Sequence, residues 1–267
     1  MAMKIGIVGA GGRMGRMLIA AVASAEGATL VGGTESAKHP DLGRDLGALA
    51  GIDAQGVALT TDARALFEAA DAIIDFTVPT ATAMHAAMAA DTGTVLVIGT
   101  TGLEGQHQDA IERAAKKAAL VQAANYSVGV NVLLGLVEQA ARILPEAFDI
   151  EILEMHHHHK VDAPSGTALA LGHAAALGRN VNLDDVADKV RDGITGARRT
   201  GDIGFATLRG GDVVGDHTVM FAGAGERVEI SHKASSREIF AAGAVRAALW
   251  ACDQKPGLYS MKNVLGL

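Results

Sequence analysis

The segment Glu154-Met155-His156-His157-His158-His159-Lys160-Val161-Asp162-Ala163-Pro164-Ser165-Gly166-Thr167 gathers side chains that can move protons and hold anions. An imidazole exchanges a proton near neutral pH, which makes His156 a candidate acid/base group. Lys160, four residues on, brings a cation that can hold a carboxylate or give up a proton. Ser165-Gly166-Thr167 opens a predicted helix. The free N–H groups of a helix's first turn, with the Thr167 hydroxyl, form an anion site. A proton donor, a cation and an anion cradle in one stretch suit a small acidic substrate. Two other readings stay open: a metal site, because imidazoles ligate zinc, and a set of purely structural histidines. Adjacent strand residues point to opposite faces, and no cysteine or second ligand cluster lies near in sequence. The run is internal, which also sets it apart from a purification tag.

A second pattern sits at the start of the chain. Lys4 to Val8 is a short apolar run, followed by Gly9-Ala10-Gly11-Gly12-Arg13-Met14-Gly15 and a helical segment from about Arg16 to Ser24. Gly9 and Gly11 fit the first two glycines of G-x-G-x-x-G, with Met14 at the third place, and Gly9, Gly12 and Gly15 fit a second register. Such a turn lets backbone N–H groups approach a pyrophosphate at a helix N-terminus. Glu35, 20 residues beyond Gly15, ends the next strand, where a carboxylate accepts hydrogen bonds from ribose hydroxyls. The expected ligand is a dinucleotide, NADH or NADPH. Glu35 favours the free 2′-hydroxyl of NADH and Ser36 adds no positive charge, although Lys38 and Arg13 are within reach of a phosphate. A tight turn without ligand is the alternative.

The elements that must position these residues follow from the apolar pattern. Thr29 to Thr34, Ala72 to Phe76, Thr94 to Gly99 and Leu120 to Ala123 read as strands. Helices are expected at Ala81 to Ala90 and Leu103 to Ala118. This alternation predicts an α/β fold with a Rossmann-like, doubly wound parallel sheet. Ligands then lie beyond the carboxyl ends of the strands, which adds Phe76-Thr77-Val78-Pro79, Gly99-Thr100-Thr101-Gly102 and Ala123-Ala124-Asn125-Tyr126 as candidate lining. Val128 to Leu144 reads as a long helix closed by Pro145, Asp149 to Met155 as a strand and Ser165 to Leu177 as a helix. A polar, loop-like segment precedes three consecutive strands, Ile203 to Arg209, Val213 to Phe221 and Arg227 to Lys233. Gly210 and Gly211 supply a turn between the first two. Strands without intervening helices indicate a second, α+β domain on a mixed or antiparallel sheet. A last helix, Arg237 to Ala251, precedes a short tail. The expected domains are 1–127, to which 237–267 returns, and 128–236.

The 267 residues suffice for a large core, and 49% hydrophobic with 20% charged residues is ordinary for a globular chain. The 33 glycines follow no triplet period. A net charge of −7 argues against non-specific nucleic-acid binding, and Arg198-Arg199 reads as a solvated loop. The single cysteine, Cys252, forbids an intrachain disulfide and fits a reducing cytoplasm. No apolar stretch reads as a membrane span, and no leader segment precedes the first strand.

The glycine-rich turn, Gly99-Thr100-Thr101-Gly102, Ala123 through Asn131, His156 through Thr167, Gly204-Phe205-Ala206-Thr207 and His232 through Arg237 closely resemble the 4-hydroxy-tetrahydrodipicolinate reductase family, also called dihydrodipicolinate reductase. The resemblance spans essentially the whole chain, and the His-His-x-His-Lys-x-Asp-x-Pro-Ser-Gly-Thr element is highly specific. It implies a Rossmann domain plus a smaller domain on a mixed sheet through which tetramers assemble. The implied reaction, in the diaminopimelate route to lysine, reduces a cyclic dicarboxylate, after loss of water, with NADH or NADPH. By the same resemblance His156 is the proton donor/acceptor and Lys160 a second proton donor. His157, Gly166 and Thr167 would bind the substrate carboxylates. Gly9, Ala10, Gly11, Gly12, Arg13, Met14, Glu35, Gly99, Thr100, Thr101, Ala123, Ala124, Asn125 and Tyr126 would line the cofactor site. The chain departs from the pattern at Ser36, where some members have Arg, at His158, where other members often have Arg, and at Val78, which replaces a common Arg. Another small-acid reductase on this fold, a nucleotide sensor without turnover and a zinc-binding protein remain as alternatives.

Overall fold

The computed structural model describes residues 2–267, so Met1, the first residue of the expected first domain, lies outside the described residues. The elements run β1 (Met3–Val8), α1 (Arg13–Ser24), β2 (Ala28–Thr34), α2 (Leu46–Ala50), β3 (Leu59–Thr60), α3 (Ala63–Ala69), β4 (Ala72–Asp75), α4 (Pro79–Thr92), β5 (Val95–Ile98), α5 (Gln106–Ala114), β6 (Ala119–Gln122), α6 (Val128–Ile143), β7 (Asp149–His156) and α7 (Gly166–Arg179). They continue with α8 (Leu183–Val186), β8 (Ala187–Asp188), β9 (Ile203–Arg209), β10 (Gly215–Gly223), β11 (Glu226–Ala234), α9 (Glu238–Ala251), β12 (Gly257–Tyr259) and α10 (Met261–Leu265). The chain forms two compact units: one holds residues up to Val128 together with Glu238–Leu267, the other holds Gly129–Arg237.

The first unit is a seven-stranded parallel sheet in the order β12-β6-β5-β4-β1-β2-β3. Its strands are continuous apolar runs because both faces are covered. The period of two divides each run between two cores. Ile5, Ile7, Ala72, Ile74, Val95, Val97 and Val121 pack with Leu18, Ile19 and Val22 of α1 and Ala244, Val245 and Ala248 of α9. Ile73, Leu96, Ile98 and Leu120 pack on the opposite face with Leu66, Phe67, Ala86, Ala89 and Ile111. Strand order reverses between β1 and β4, which is the switch point where ligands bind in such sheets.

The tail is more than the expected appendage, because β12 pairs with β6 and α10 closes the end of the chain. The helix after the glycine-rich turn also starts at Arg13, three residues earlier than expected.

The second unit is a five-stranded mixed sheet in the order β11-β10-β7-β9-β8. β10 is antiparallel to β7 and β11, whereas β9 runs parallel to β7. The expected turn between β9 and β10 at Gly210-Gly211 is therefore not a hairpin. β7 lies between the two strands, and their connection passes over the end of β7, where Gly210 N donates to His156 O at 2.9 Å and His157 N to Val213 O at 2.8 Å. Alternate residues Ile150, Ile152, Val219 and Phe221 turn to one face and pack under Leu133 and Val137 of α6 and Leu171 and Ala175 of α7. The polar segment before β9, read as loop, contains the short α8 and β8.

Candidate active site

At the β1–α1 turn, Gly9 adopts φ +71°, a left-handed conformation open to glycine. The Gly9 and Ala10 amides both donate to Thr34 O, at 2.9 and 3.0 Å, which folds the turn back on β2. A Cβ on Gly15 would lie 2.2 Å from Gly9 O, so only glycine lets helix and turn meet there. Gly12 caps α1 with no side-chain hydrogen bond, and the first-turn amides of Arg13, Met14 and Gly15 have no partner within the helix. Glu35 stands beside this turn: a Cβ on Gly11 would come 3.1 Å from Glu35 Cγ and 2.6 Å from His39 Cε1. An uncapped helix start with a carboxylate beside it fits a dinucleotide's pyrophosphate and ribose.

The neighbouring strand ends are tied together by Asp75, fully buried at the end of β4. Its Oδ1 accepts from Thr77 N at 2.9 Å, Thr77 Oγ1 at 2.6 Å and Thr100 Oγ1 at 3.3 Å, and its Oδ2 lies 2.8 Å from His85 Nδ1. A Cβ on Gly9 would meet Thr77 Cγ2 at 2.8 Å, so the glycine-rich turn and the end of β4 are in contact. Gly99 N donates to Asp75 O and Ala123 N to Ile98 O, which fixes the openings of the next two candidate loops, the first continuing through Thr101 and the second through Ala124. Asn125 Oδ1 accepts from Ser127 N. Tyr126 turns inward, with its hydroxyl 2.8 Å from Ile98 O and 2.9 Å from Val121 O, and burial pushes its pKa well up. Only its main chain is left to meet a cofactor.

In the second unit, His156 is the last residue of β7 and is buried. Its Nδ1 lies 2.6 Å from Oε2 of Glu154, two residues back on the same face. Glu154 also accepts from Arg209 Nη1 at 2.8 Å, Arg209 Nη2 at 3.0 Å and Ser165 N at 3.0 Å. Burial alone would raise the Glu154 pKa, but the hydrogen bonds from Arg209, His156 and Ser165 hold it below the usual range. Ser165 caps α7 by accepting from Ala168 N at 3.1 Å, and its Oγ lies 3.0 Å from His217 Nε2. The expected anion cradle, Gly166 and Thr167, thus begins one residue from the group that holds His156, and nothing stands within 4 Å of where a Gly166 Cβ would be.

Lys160 pairs with Asp162 at 2.9 Å, and its hydrogen bond is the main cause of a lowered Asp162 pKa. His157 meets Arg237 at 3.2 Å, and desolvation, then the Arg237 charge, lowers its pKa. His158 Nδ1 lies 2.9 Å from Gly211 O and its ring is 3.8 Å from that of His159. Among the described residues, no three His, Cys, Asp or Glu side chains converge as metal ligands. Glu154, Arg209, His217, Arg237 and Asp75 have no role assigned from sequence. Only Glu154 carried a signal, its spacing of two from His156 on an alternating strand.

Family models described as dihydrodipicolinate reductase, N-terminus and C-terminus, match residues 3–126 and 129–265. The chain belongs to the dihydrodipicolinate reductase family. It is 56% identical over 265 residues to the 4-hydroxy-tetrahydrodipicolinate reductase of Rhodopseudomonas palustris (strain BisA53), covering 99% of this chain and 97% of that protein. It is also 56% identical over 266 residues to the reductase of the same name from Brucella abortus (strain 2308), covering 99% of both. Among solved structures, a dipicolinate-bound dihydrodipicolinate reductase from Paenisporosarcina sp. TG-14 shares the fold. Its TM-score is 0.80 at 22% identity, with 98% of this chain and 99% of that chain covered. Family membership makes the chain an oxidoreductase and assigns its Rossmann-like unit to NAD(P)H.

Proposed function

We propose that the chain reduces 4-hydroxy-tetrahydrodipicolinate to tetrahydrodipicolinate in the diaminopimelate route to lysine. The observation that carries this reading is the network at the end of β7 that joins the His156 imidazole through Glu154 to Ser165 at the start of α7, with the Lys160 ammonium on the loop between them. Bound NADH or NADPH supplies the hydride. His156 delivers the proton that quenches the charge a hydride leaves on the dehydrated ring. Lys160, His157 and the Gly166-Thr167 amides hold the two carboxylates, which is catalysis by positioning and fixed charge. Lys160 is also a second proton donor. The turn from Gly9 to Met14, Glu35, Gly99 to Thr101 and Ala123 to Tyr126 bind the cofactor. Glu35 beside Ser36 favours NADH, since neither offers a cation to a 2′-phosphate.

The enzyme works in the cytoplasm as a homotetramer built through the second unit. Support for the assembly comes from the sheet face opposite the helices, where Leu153, Met155 and Met220 are half-buried and Leu208 is exposed. Among the described residues, no helix is long and apolar enough to cross a membrane.

The test is steady-state turnover of enzymatically generated substrate. His156→Gln lowers kcat about 10²-fold or more with NADH affinity retained, the range expected for loss of a general acid. Lys160→Ala raises KM for the dicarboxylate, lowers kcat, or both. An unchanged kcat in His156→Gln rejects the assignment.

A further inference from the structure

Glu154 is buried at 1% exposure, carries a charge, and takes no part in the chemistry described above. Its hydrogen bonds determine a proton position. Oε1 accepts from Ser165 N and Arg209 Nη2, and Oε2 accepts from Arg209 Nη1. The Ser165 amide and the Arg209 guanidinium can only donate, the Thr207 hydroxyl adds a longer contact to Oε1 at 3.4 Å, and the bidentate guanidinium fixes the carboxylate in its ionised form. An ionised carboxylate cannot donate, so the 2.6 Å contact to His156 runs from the imidazole: Nδ1 holds a hydrogen and gives it to Oε2. That leaves Nε2 as the nitrogen whose proton comes and goes. Nε2 points toward Gly215, where a Cβ would stand 3.0 Å away, so a bare glycine keeps the approach to that nitrogen open.

The same carboxylate reaches the start of α7 through Ser165 N. Arg209, which faces His156 in the parallel register, also donates to Asp162 O, so the loop after Lys160 hangs on the same group.

We infer that Glu154 is a positioning residue for the reduction, holding His156 in the Nδ1–H form with Nε2 turned to the substrate and tying it to the anion-binding start of α7. This rests on the proposed role of His156. A glutamine at 154 can still accept from Ser165 N and Arg209 through its oxygen. Its NH2 then faces two donors, Arg209 Nη1 and His156 Nδ1. Relief requires His156 to accept at Nδ1 and carry its hydrogen on Nε2, so the ring can no longer take a proton at Nε2 to become the imidazolium that gives this proton to the substrate and returns to the Nδ1–H form. Asparagine in place of a histidine-orienting aspartate has this consequence in serine proteases.

The experiment combines kinetics with ring-nitrogen NMR on the full-length enzyme labelled with 15N-histidine, the His156 signals being assigned from His156→Gln. Glu154→Gln is expected to lower kcat about 10²-fold with KM for NADH within twofold of wild type. In a His156→Gln background the same change is expected to have no further effect on kcat, which a merely structural role does not predict. The wild-type spectrum is expected to show neutral His156 protonated at Nδ1, a measurement that holds even if Glu154→Gln does not fold. The inference is overturned by wild-type His156 protonated at Nε2, by Glu154→Gln turnover within threefold of wild type, or by equal losses in both backgrounds. If His156→Gln itself keeps full activity, the proposed role of His156 fails and takes this inference with it. If only Glu154→Gln does, the proposed function stands.

Discussion

His217 makes acid a specific threat to the second unit. It sits in β10 directly opposite Glu154, almost fully buried, with its ring 5.1 Å from that of His156. Its Nε2 meets Ser165 Oγ, and its Nδ1 has no hydrogen-bond partner. Burial, then the nearby His156 charge, lowers its pKa from 6.5 to about 4. The folded protein thus refuses a proton that the unfolded chain accepts. Above pH 6.5 neither state binds it and stability is unaffected. As pH falls from 6.5 toward 4 the unfolded state gains the proton alone, so stability drops, and below about 4 the loss levels off. The gap of 2.5 units, 6.5 less 4, corresponds to about 3 kcal/mol at about 1.4 kcal/mol per unit.

Carboxylates titrate over the same range, so the informative quantity is a difference. His217→Gln keeps a polar side chain for Ser165 but cannot titrate. Urea denaturation followed by far-UV circular dichroism, at one protein concentration from pH 7 to pH 4, measures both proteins. Relative to the variant, wild type is expected to lose about 3 kcal/mol across that window. Parallel curves would show that His217 takes up its proton in the folded state and would refute the reasoning.

Two further outcomes follow from the first unit. Gly15→Ala forces a methyl group to within 2.2 Å of Gly9 O, a backbone atom that cannot swing aside. It is expected to cost about 1–3 kcal/mol and to weaken NADH binding, seen as a lower melting temperature and a higher Kd by NADH fluorescence. A wild-type melting temperature would mean that α1 and the turn can move apart. Ser36→Arg places a cation beside Glu35 and is expected to raise the NADPH-to-NADH ratio of kcat/KM on the order of tenfold, the size of one charge-assisted hydrogen bond. An unmoved ratio places the 2′-position away from residues 35 and 36.

Long-range pairing accounts for most of what the sequence leaves unread in the fold. The strands of the parallel sheet are legible because each is a buried apolar run, such as Ala72–Asp75 and Val95–Ile98. α2, β3 and α3, between residues 46 and 69, are too short to show a period and take their form from the sheet edge they complete. Gly257–Tyr259 becomes a strand only because β6 offers an unpaired edge. Gly210 and Gly211 look locally like a hairpin turn, and nothing near them in sequence tells that β7, some 50 residues earlier, lies between the flanking strands.

The histidine run shows what alternation can and cannot resolve. On β7 the even residues Ile150, Ile152, Glu154 and His156 face inward and the odd ones do not. The period of two by itself therefore separates His156 from His157 and gives His156 a carboxylate two residues away on the same face. The partners that complete the network come from register. β9 brings Thr207 opposite Glu154 and Arg209 opposite His156, while β10 brings His217 opposite Glu154 from the other side. A shift of one residue in the β7–β9 pairing would turn Arg209 to the opposite face and leave Glu154 as a buried charge without its guanidinium counter-ion, and the same slip between β7 and β10 would turn His217 away from Ser165. Sheet register and active-site charge balance thus enforce each other, and the chemistry of His156 depends on pairings that its own stretch of sequence does not contain.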